Sequence, residues 1–427
     1  MKKWKRIIAG ITAGVMLACT QVSAGVDLNA KYAITTNELE NWPAGPELMA
    51  DTGVLMDADT GVVLYDKGAH ELRYPASITK LMTLLVAVEH ADLNETVTFT
   101  ETGIRDIAPD SGNIGMQLGE TMSMEDCLYA MILYSANEVS AQIAEYVGGT
   151  EQAFIDMMNE RAAKIGCENT HFMNASGLPN ENQYTTAYDM ALIFREGLKN
   201  KTFRKIINTR SYVVKATNKN SQDRPFQTHH PLFSELSGIF YPSCIGGKSG
   251  MTNDAGHTLV TGAEENGVTY ITVVMRDVDI NQAGVDSKAL FDYGYQNFHK
   301  EEVEGGSVLL PSGVNTDSLT KQEETVGGVL RQGYYLSGHL VGTGSVPEPT
   351  PESVATPTPA QTEQEAPVQE QETVQEHTED TTVDSEREET GLSKTARVLL
   401  AVMACMVILL IILCILLGVK NRRRGRR

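Results

Sequence analysis

Three short polar motifs follow one another along this 427-residue chain: Ser77-Ile78-Thr79-Lys80, Ser135-Ala136-Asn137 and Lys248-Ser249-Gly250. Residues three apart on a helix share a face, so Lys80 should lie beside Ser77. A serine hydroxyl is a weak nucleophile until a neighbouring base takes its proton, and a lysine becomes such a base when burial lowers its pKa. A serine at a helix start also brings its own N–H and the helix dipole to a developing oxyanion. Lys248 and the Ser249 hydroxyl together suit a carboxylate. Gly246 and Gly247 before them, and Gly250 after, would let a ligand approach the backbone of an edge strand.

Each motif alone has a plainer explanation, and the chain carries decoys of two of them. Ser318-Leu319-Thr320-Lys321 repeats the first spacing in a polar stretch, as a helix cap with a solvated lysine would. Ser111-Gly112-Asn113 repeats the second but follows Pro109-Asp110 and reads as a turn. Ser135-Ala136-Asn137 interrupts an apolar helical pattern; either a cleft or a helix–helix hydrogen bond would give its polar groups their partners.

The elements that must hold these motifs are legible in outline. Residues 53–65 alternate around an Asp/Gly turn and predict a hairpin. Leu81, Leu84, Leu85 and Val88 recur at helical spacing directly after Ser77. A single helix is expected over Met124–Val147, with others over Gln152–Ile165, Thr186–Leu198 and Val285–Phe298. His257–Ala263 and Val268–Arg276 flank Asn266-Gly267, a type I′ hairpin signal. The order predicts an α+β fold: a mostly antiparallel sheet flanked by helices, with a helical subdomain, over residues 45–300. A small C-terminal β appendage is expected over 301–345.

Beyond that head, composition sets the frame. Lys2, Lys3, Lys5 and Arg6 precede an apolar run and Val22-Ser23-Ala24, so residues 1–24 read as a signal peptide. Residues 346–390 are rich in Pro, Thr, Gln and Glu without aromatics and predict a disordered acidic stalk. Residues 398–419 are all apolar or Gly, enough to span a membrane, and the basic 420–427 should stay in the cytoplasm. The charges of signal, stalk and residues 391–427 cancel, leaving the formal net charge of −20 on the head. That argues against nucleic-acid partners. Cys127, Cys167 and Cys244 fit neither a disulfide framework nor metal spacing and read as small buried hydrophobes, with one disulfide pair as the other reading; no cofactor or metal is expected.

The chain resembles the low-molecular-mass penicillin-binding proteins, the serine-type D-alanyl-D-alanine carboxypeptidases, over roughly residues 45–300. The resemblance lies in Tyr74-Pro75-Ala76-Ser77-Ile78-Thr79-Lys80, in Ser135-Ala136-Asn137-Glu138, in Asn174-Ala175-Ser176-Gly177-Leu178-Pro179 and in Tyr184-Thr185-Thr186-Ala187-Tyr188-Asp189-Met190-Ala191. It implies a serine β-lactamase-like fold and removal of the terminal D-alanine from peptidoglycan stem peptides, with β-lactam antibiotics as inhibitors. By the same resemblance Ser77 is the nucleophile, Lys80 the general base and Ser135 the proton relay to the departing D-alanine. Asn137 binds the substrate peptide group, Lys248 and Ser249 hold its carboxylate, and the N–H groups of Ser77 and Met251, flanking Gly250, form an oxyanion hole. Three departures stand out. Ser249 replaces a usual Thr, the appendage is short, and the anchor is a full span where many relatives use an amphipathic helix.

Two rivals share these motifs: a DD-endopeptidase acting on crosslinks, and a non-hydrolytic β-lactam or cell-wall-binding receptor. A β-lactamase with a carboxylate base would carry Glu-x-x-Leu-Asn before the third motif, which has no match here.

Overall fold

The computed structural model describes residues 26–105, 111–233, 237–326 and 329–346. The expected signal (1–24), span (398–419) and tail (420–427), and all of the stalk but Val346, lie outside these residues. Among the described residues no helix is long and apolar enough to cross a membrane.

The first hairpin forms where its turn chemistry predicts. β1 (Thr52–Asp57) pairs antiparallel with β2 (Val63–Lys67). Asp57 Oδ1 accepts from the Thr60 N–H and hydroxyl, each at 2.7 Å, which fixes the reversal. β3 (Thr96–Thr98) with β4 (Thr121–Ser123), and β5 (Ser211–Val214) with β6 (Arg224–Gln227), form two small antiparallel ladders. β7 (Cys244–Thr252), β8 (Gly256–Glu265) and β9 (Val268–Asp277) complete the main sheet in the order β2-β1-β9-β8-β7. Asn266 and Gly267 both take positive φ (52° and 79°), as a type I′ turn requires.

Besides the single turn Thr102–Arg105, the described residues form the helices α1 (Lys80–His90), α2 (Met124–Leu133), α3 (Asn137–Gly148), α4 (Glu151–Ile165), α5 (Ala187–Leu198), α6 (Lys201–Ile207) and α7 (Ile280–Asn297). Strand alternation divides the core in two. From β9, Ile271, Val273 and Met275 join α1–α6 in one apolar cluster, while Tyr270 and Val274 face α7 in the other. Both faces of the sheet are therefore covered, and each buried aliphatic side chain contributes about 1.5–3 kcal/mol. A second sheet of β10 (Phe298–Val303), β11 (Gly306–Pro311), β12 (Thr320–Val326), β13 (Val329–Leu336) and β14 (His339–Gly344) follows, in the order β10-β11-β14-β13-β12. Val308, Leu310 and Leu336 extend the α7-side core, and His339 Nε2 reaches the Val63 carbonyl of β2 at 2.8 Å.

Three expectations are corrected. The helix read over Met124–Val147 is two helices, α2 and α3, broken at Tyr134-Ser135-Ala136, where Ser135 adopts φ 62°. The final helix starts at Ile280, not Val285, because Asp279 caps it by accepting the Gln282 N–H at 2.9 Å. The second sheet begins at Phe298, so Lys300 already lies within a strand.

Candidate active site

Ser77 sits in a single 3₁₀ turn, Ala76–Thr79, that runs straight into α1. Ser77 thus stands at a helix start, as its sequence setting predicts. Ala76 is held at φ 51°, unusual for a residue with a Cβ. Two glycines make room for this turn. A Cβ on Gly177 (φ 88°) would lie 1.9 Å from the Ala76 carbonyl oxygen, and one on Gly250 would lie 2.7 Å from the Ser77 nitrogen. The Thr258 hydroxyl donates to the Pro75 carbonyl at 3.0 Å and ties β8 to the same turn.

Lys80 is fully buried, with Nζ 3.1 Å from Ser77 Oγ, 2.7 Å from Asn137 Oδ1 and 2.5 Å from the Ser176 carbonyl. Burial pushes its pKa well below the lysine range; the Lys248 charge pushes the same way, against Glu138. Asn137 is the first residue of α3, and its position follows from the break at Ser135. The turn that presents Ser176 is built by Asn174, whose Oδ1 accepts from Gly177 N–H at 2.7 Å while its Nδ2 donates to the Leu178 carbonyl at 3.0 Å.

Lys248 lies in β7, the edge of the main sheet, and donates to the Ser249 carbonyl at 2.7 Å. Burial lowers its pKa to about 7. The glycines around it serve a purpose the sequence did not suggest. Cβ atoms on Gly246 and Gly247 would meet the Ile207 and Val260 carbonyl oxygens, so that space is filled by the chain's own backbone and not by a ligand. Ser77, Ser135, Asn137, Lys248, Ser249, Gly250 and Met251 line one cleft of about 970 Å³, and Lys80 lies directly beneath Ser77.

With this geometry in view, known proteins are informative. The sequence profile of the D-alanyl-D-alanine carboxypeptidases, peptidase family S11, matches residues 39–279. The chain belongs to this family. It is 29% identical to the D-alanyl-D-alanine carboxypeptidase DacF of Bacillus subtilis over 297 residues, covering 69% of this chain and 72% of the relative. It is 29% identical to DacA of Haemophilus influenzae over 290 residues, covering 65% and 69%. Among solved structures it is similar to penicillin-binding protein 5 of Haemophilus influenzae (TM-score 0.60, 26% identity, 71% of this chain and 97% of that one). It is also similar to the Streptomyces K15 DD-transpeptidase (TM-score 0.55, 27% identity, 60% and 100%). The fold is the serine β-lactamase-like α+β fold of these DD-peptidases.

Within this family fold, the decoys separate. Ser318 and Lys321 are both exposed: Ser318 ends a 3₁₀ turn, Thr316–Ser318, before β12, and Lys321 lies in β12 with its Nζ 5.4 Å from the centre of the Tyr334 ring. Ser111-Gly112-Asn113 does form a connecting segment, yet it lines the cleft, which its turn signature concealed. Gly112 O accepts from the Asn137 N–H at 2.8 Å, and Glu138 Oε1 holds the next residue, accepting from the Ile114 N–H at 2.6 Å. His229 also lines the cleft. Burial, then the Lys248 charge, hold its pKa below the usual histidine value. Ser176 entered the sequence reading only as part of the Asn174–Pro179 segment, without a role, since it contributes a backbone carbonyl, and His229 lies in no motif. Cys127, Cys167 and Cys244 are buried free thiols, as read.

Proposed function

We propose that this chain is a serine-type D-Ala-D-Ala carboxypeptidase that trims the terminal D-alanine from peptidoglycan stem peptides through an acyl-enzyme on Ser77. The observation that carries the reading is the Lys80 network. A neutral amine has two N–H donors and one lone pair. The Asn137 Oδ1 and Ser176 carbonyl acceptors take the two donors, which leaves the lone pair for the Ser77 hydroxyl 3.1 Å away. Lys80 is thereby set to accept a proton. Because Asn137 spends its oxygen on Lys80, its NH2 remains as the donor for a substrate carbonyl.

In this reading Ser77 Oγ attacks the carbonyl of the penultimate D-alanine as its proton passes to Lys80. The C–N bond then breaks, and Ser135 relays a proton to the leaving amine. Water, activated by Lys80, hydrolyses the ester and regenerates Ser77. The N–H groups of Ser77 and Met251 stabilise the oxyanion, a term of about 3–4 kcal/mol per donor in comparable sites. Lys248 and Ser249 hold the carboxylate of the departing residue. β-Lactams, as mimics of the terminal dipeptide, acylate the same serine.

The test is labelling with a fluorescent penicillin, read beside D-alanine release. Ser77→Ala should abolish both, while Ser318→Ala should leave both intact. Labelling that persists without Ser77 would remove the assignment.

Composition supports a second part of the proposal. Residues 1–24 act as an export signal, 346–390 as a stalk, and 398–419 as a single span with 420–427 inside. The head at 45–300, with its β appendage to 345, then stands on the extracytoplasmic face among its substrates.

A further inference from the structure

Glu138 has no part in the chemistry above, yet it is fully buried one residue past Asn137, in the first turn of α3. A buried carboxyl is costly unless its oxygens find donors. Burial pushes the Glu138 pKa up, and the backbone N–H groups of Ile114, Glu138, Val139 and Gly115 pull it back. Two of these belong to the first turn of α3, whose N-cap position holds Ala136 and so has no side-chain cap. A carboxylate there complements the helix dipole. The other two belong to the stretch that continues Ser111-Gly112-Asn113 from the cleft wall, and Ile114 N–H reaches Glu138 Oε1 at 2.6 Å.

This wall leans directly on the break between α2 and α3. The Gly112 carbonyl accepts from the Asn137 N–H at 2.8 Å, and a Cβ on Gly112 would come within 2.7 Å of the Ser135 carbonyl oxygen. Asn137 Oδ1 in turn holds Lys80 Nζ at 2.7 Å. A shift of the wall at Ile114 is therefore carried by Gly112 to the Asn137 backbone, and from its side chain to the amine beside Ser77.

We infer that Glu138 is a positioning residue for Lys80: its carboxyl fixes the cleft wall at Ile114, the wall's Gly112 carbonyl fixes Asn137, and the Asn137 amide aims the Lys80 lone pair at Ser77. The inference rests on the Ser77 reading, which makes Lys80 the base. Glu138 acts through Asn137, and no proton changes hands at its carboxyl. What it supplies is an acceptor at a fixed place. An uncharged acceptor of the same length serves as well, whereas an apolar side chain of similar size does not.

The experiment compares Glu138→Gln and Glu138→Leu with the unaltered enzyme on an N-acyl peptide ending in D-Ala-D-Ala. Each is assayed at the pH of its greatest kcat, which sets aside any change in the Lys80 pKa, on which burial, Lys248 and Glu138 all act. Glu138→Leu should lower kcat at least about tenfold, the scale of one hydrogen bond to a charged group. Its KM should change less than about threefold, because Lys248 and Ser249 still hold the carboxylate. Hydrogen exchange at the Ile114 amide should quicken in the same variant. Glu138→Gln should keep that amide protected and kcat within about threefold of the unaltered enzyme. If Glu138→Leu does not fold, Gly112→Ala reads the next link, with the same fall in kcat and steady KM expected as its Cβ meets the Ser135 carbonyl. A glutamine as damaging as leucine, a normal kcat in Glu138→Leu, or a loss that falls on KM overturns the positioning role while D-alanine release stands. An unaltered enzyme that takes no penicillin label on Ser77 would sink the Ser77 reading and this role with it.

Discussion

At the scale of single residues, the site places two buried lysines where only one should be charged. Burial, reinforced by Lys248, pushes the Lys80 pKa well below the lysine range and so favours its neutral form, and burial lowers that of Lys248 to about 7. In the proposed mechanism a neutral Lys80 takes the Ser77 proton and a charged Lys248 holds the carboxylate. The rate on an acid substrate should therefore rise as pH passes the depressed pKa of Lys80. It should then fall above about 7 as Lys248 loses its proton, unless the bound carboxylate holds that proton and moves the fall upward. Measured kcat/KM against pH should show both limbs for a D-Ala-D-Ala acid, and lose the upper one when its C-terminus is amidated. An identical fall for the amide would separate Lys248 from carboxylate recognition. These residues were legible in sequence because the chemistry restricts their types: a hydroxyl, an amine three places on, an amide, and an amine on a strand. Ser176 was not, since any residue can offer a carbonyl, and it lies 96 positions from Lys80.

At the scale of elements, the arrangement depends on backbones that touch. The Ala76 turn, the Gly177 turn and strand β7 converge with no room for a methyl group. Gly177→Ala would push its neighbour away from the Ala76 carbonyl and carry Ser77 with it. A displacement of about 1 Å at a reacting atom costs roughly 10²-fold in rate. Penicillin acylation of Gly177→Ala should fall by that order while circular dichroism shows a folded protein; near-normal acylation would mean the turn relaxes without moving Ser77. Sequence periodicity gave the sheet, the type I′ turn and most helices. It failed at the α2–α3 break because the apolar residues Leu128, Met131, Ile132 and Val139 keep their helical spacing straight through it. No glycine or proline marks Ser135, whose left-handed φ is imposed by tertiary contacts, among them Gly112 packed on its carbonyl. The Asp279 cap was overlooked for a simpler reason: the first turn of α7, Ile280 to Ala283, lacks the apolar stripe that marks a helix.

At the scale of the molecule, the sheet and α7 are joined by a buried acid pair. Burial first, and the Asp286 charge second, raise the Asp277 pKa to about 7 from an ordinary 3.8. The folded protein holds that proton more tightly than the unfolded chain does. The stability it contributes is complete below about pH 4 and lost as pH rises through about 7. Asp277→Asn should remove this dependence and raise Tm at pH 8. About 1 kcal/mol corresponds to roughly 2–4 °C in a domain of this size. Parallel Tm–pH curves for both proteins would show that the pair is not linked to folding. The proposed stalk makes a cruder forecast. Protease added to intact cells should release an active head, because such tracts are open to cleavage; cleavage only after lysis would reverse the topology.

The free edge of β7 also acts as a ruler. Beyond Lys248 it offers four residues, Ser249 to Thr252, before the strand ends. At about 3.3 Å per residue that is about 13 Å of edge backbone with no strand partner among the described residues. A peptide lying along it as an added strand is read through its main chain, largely indifferent to which side chains it carries. Stem residues farther than about four from the scissile bond fall off the measured length. One active site can then serve walls whose stems differ upstream, while a proline or N-methyl group within the measured stretch would be refused.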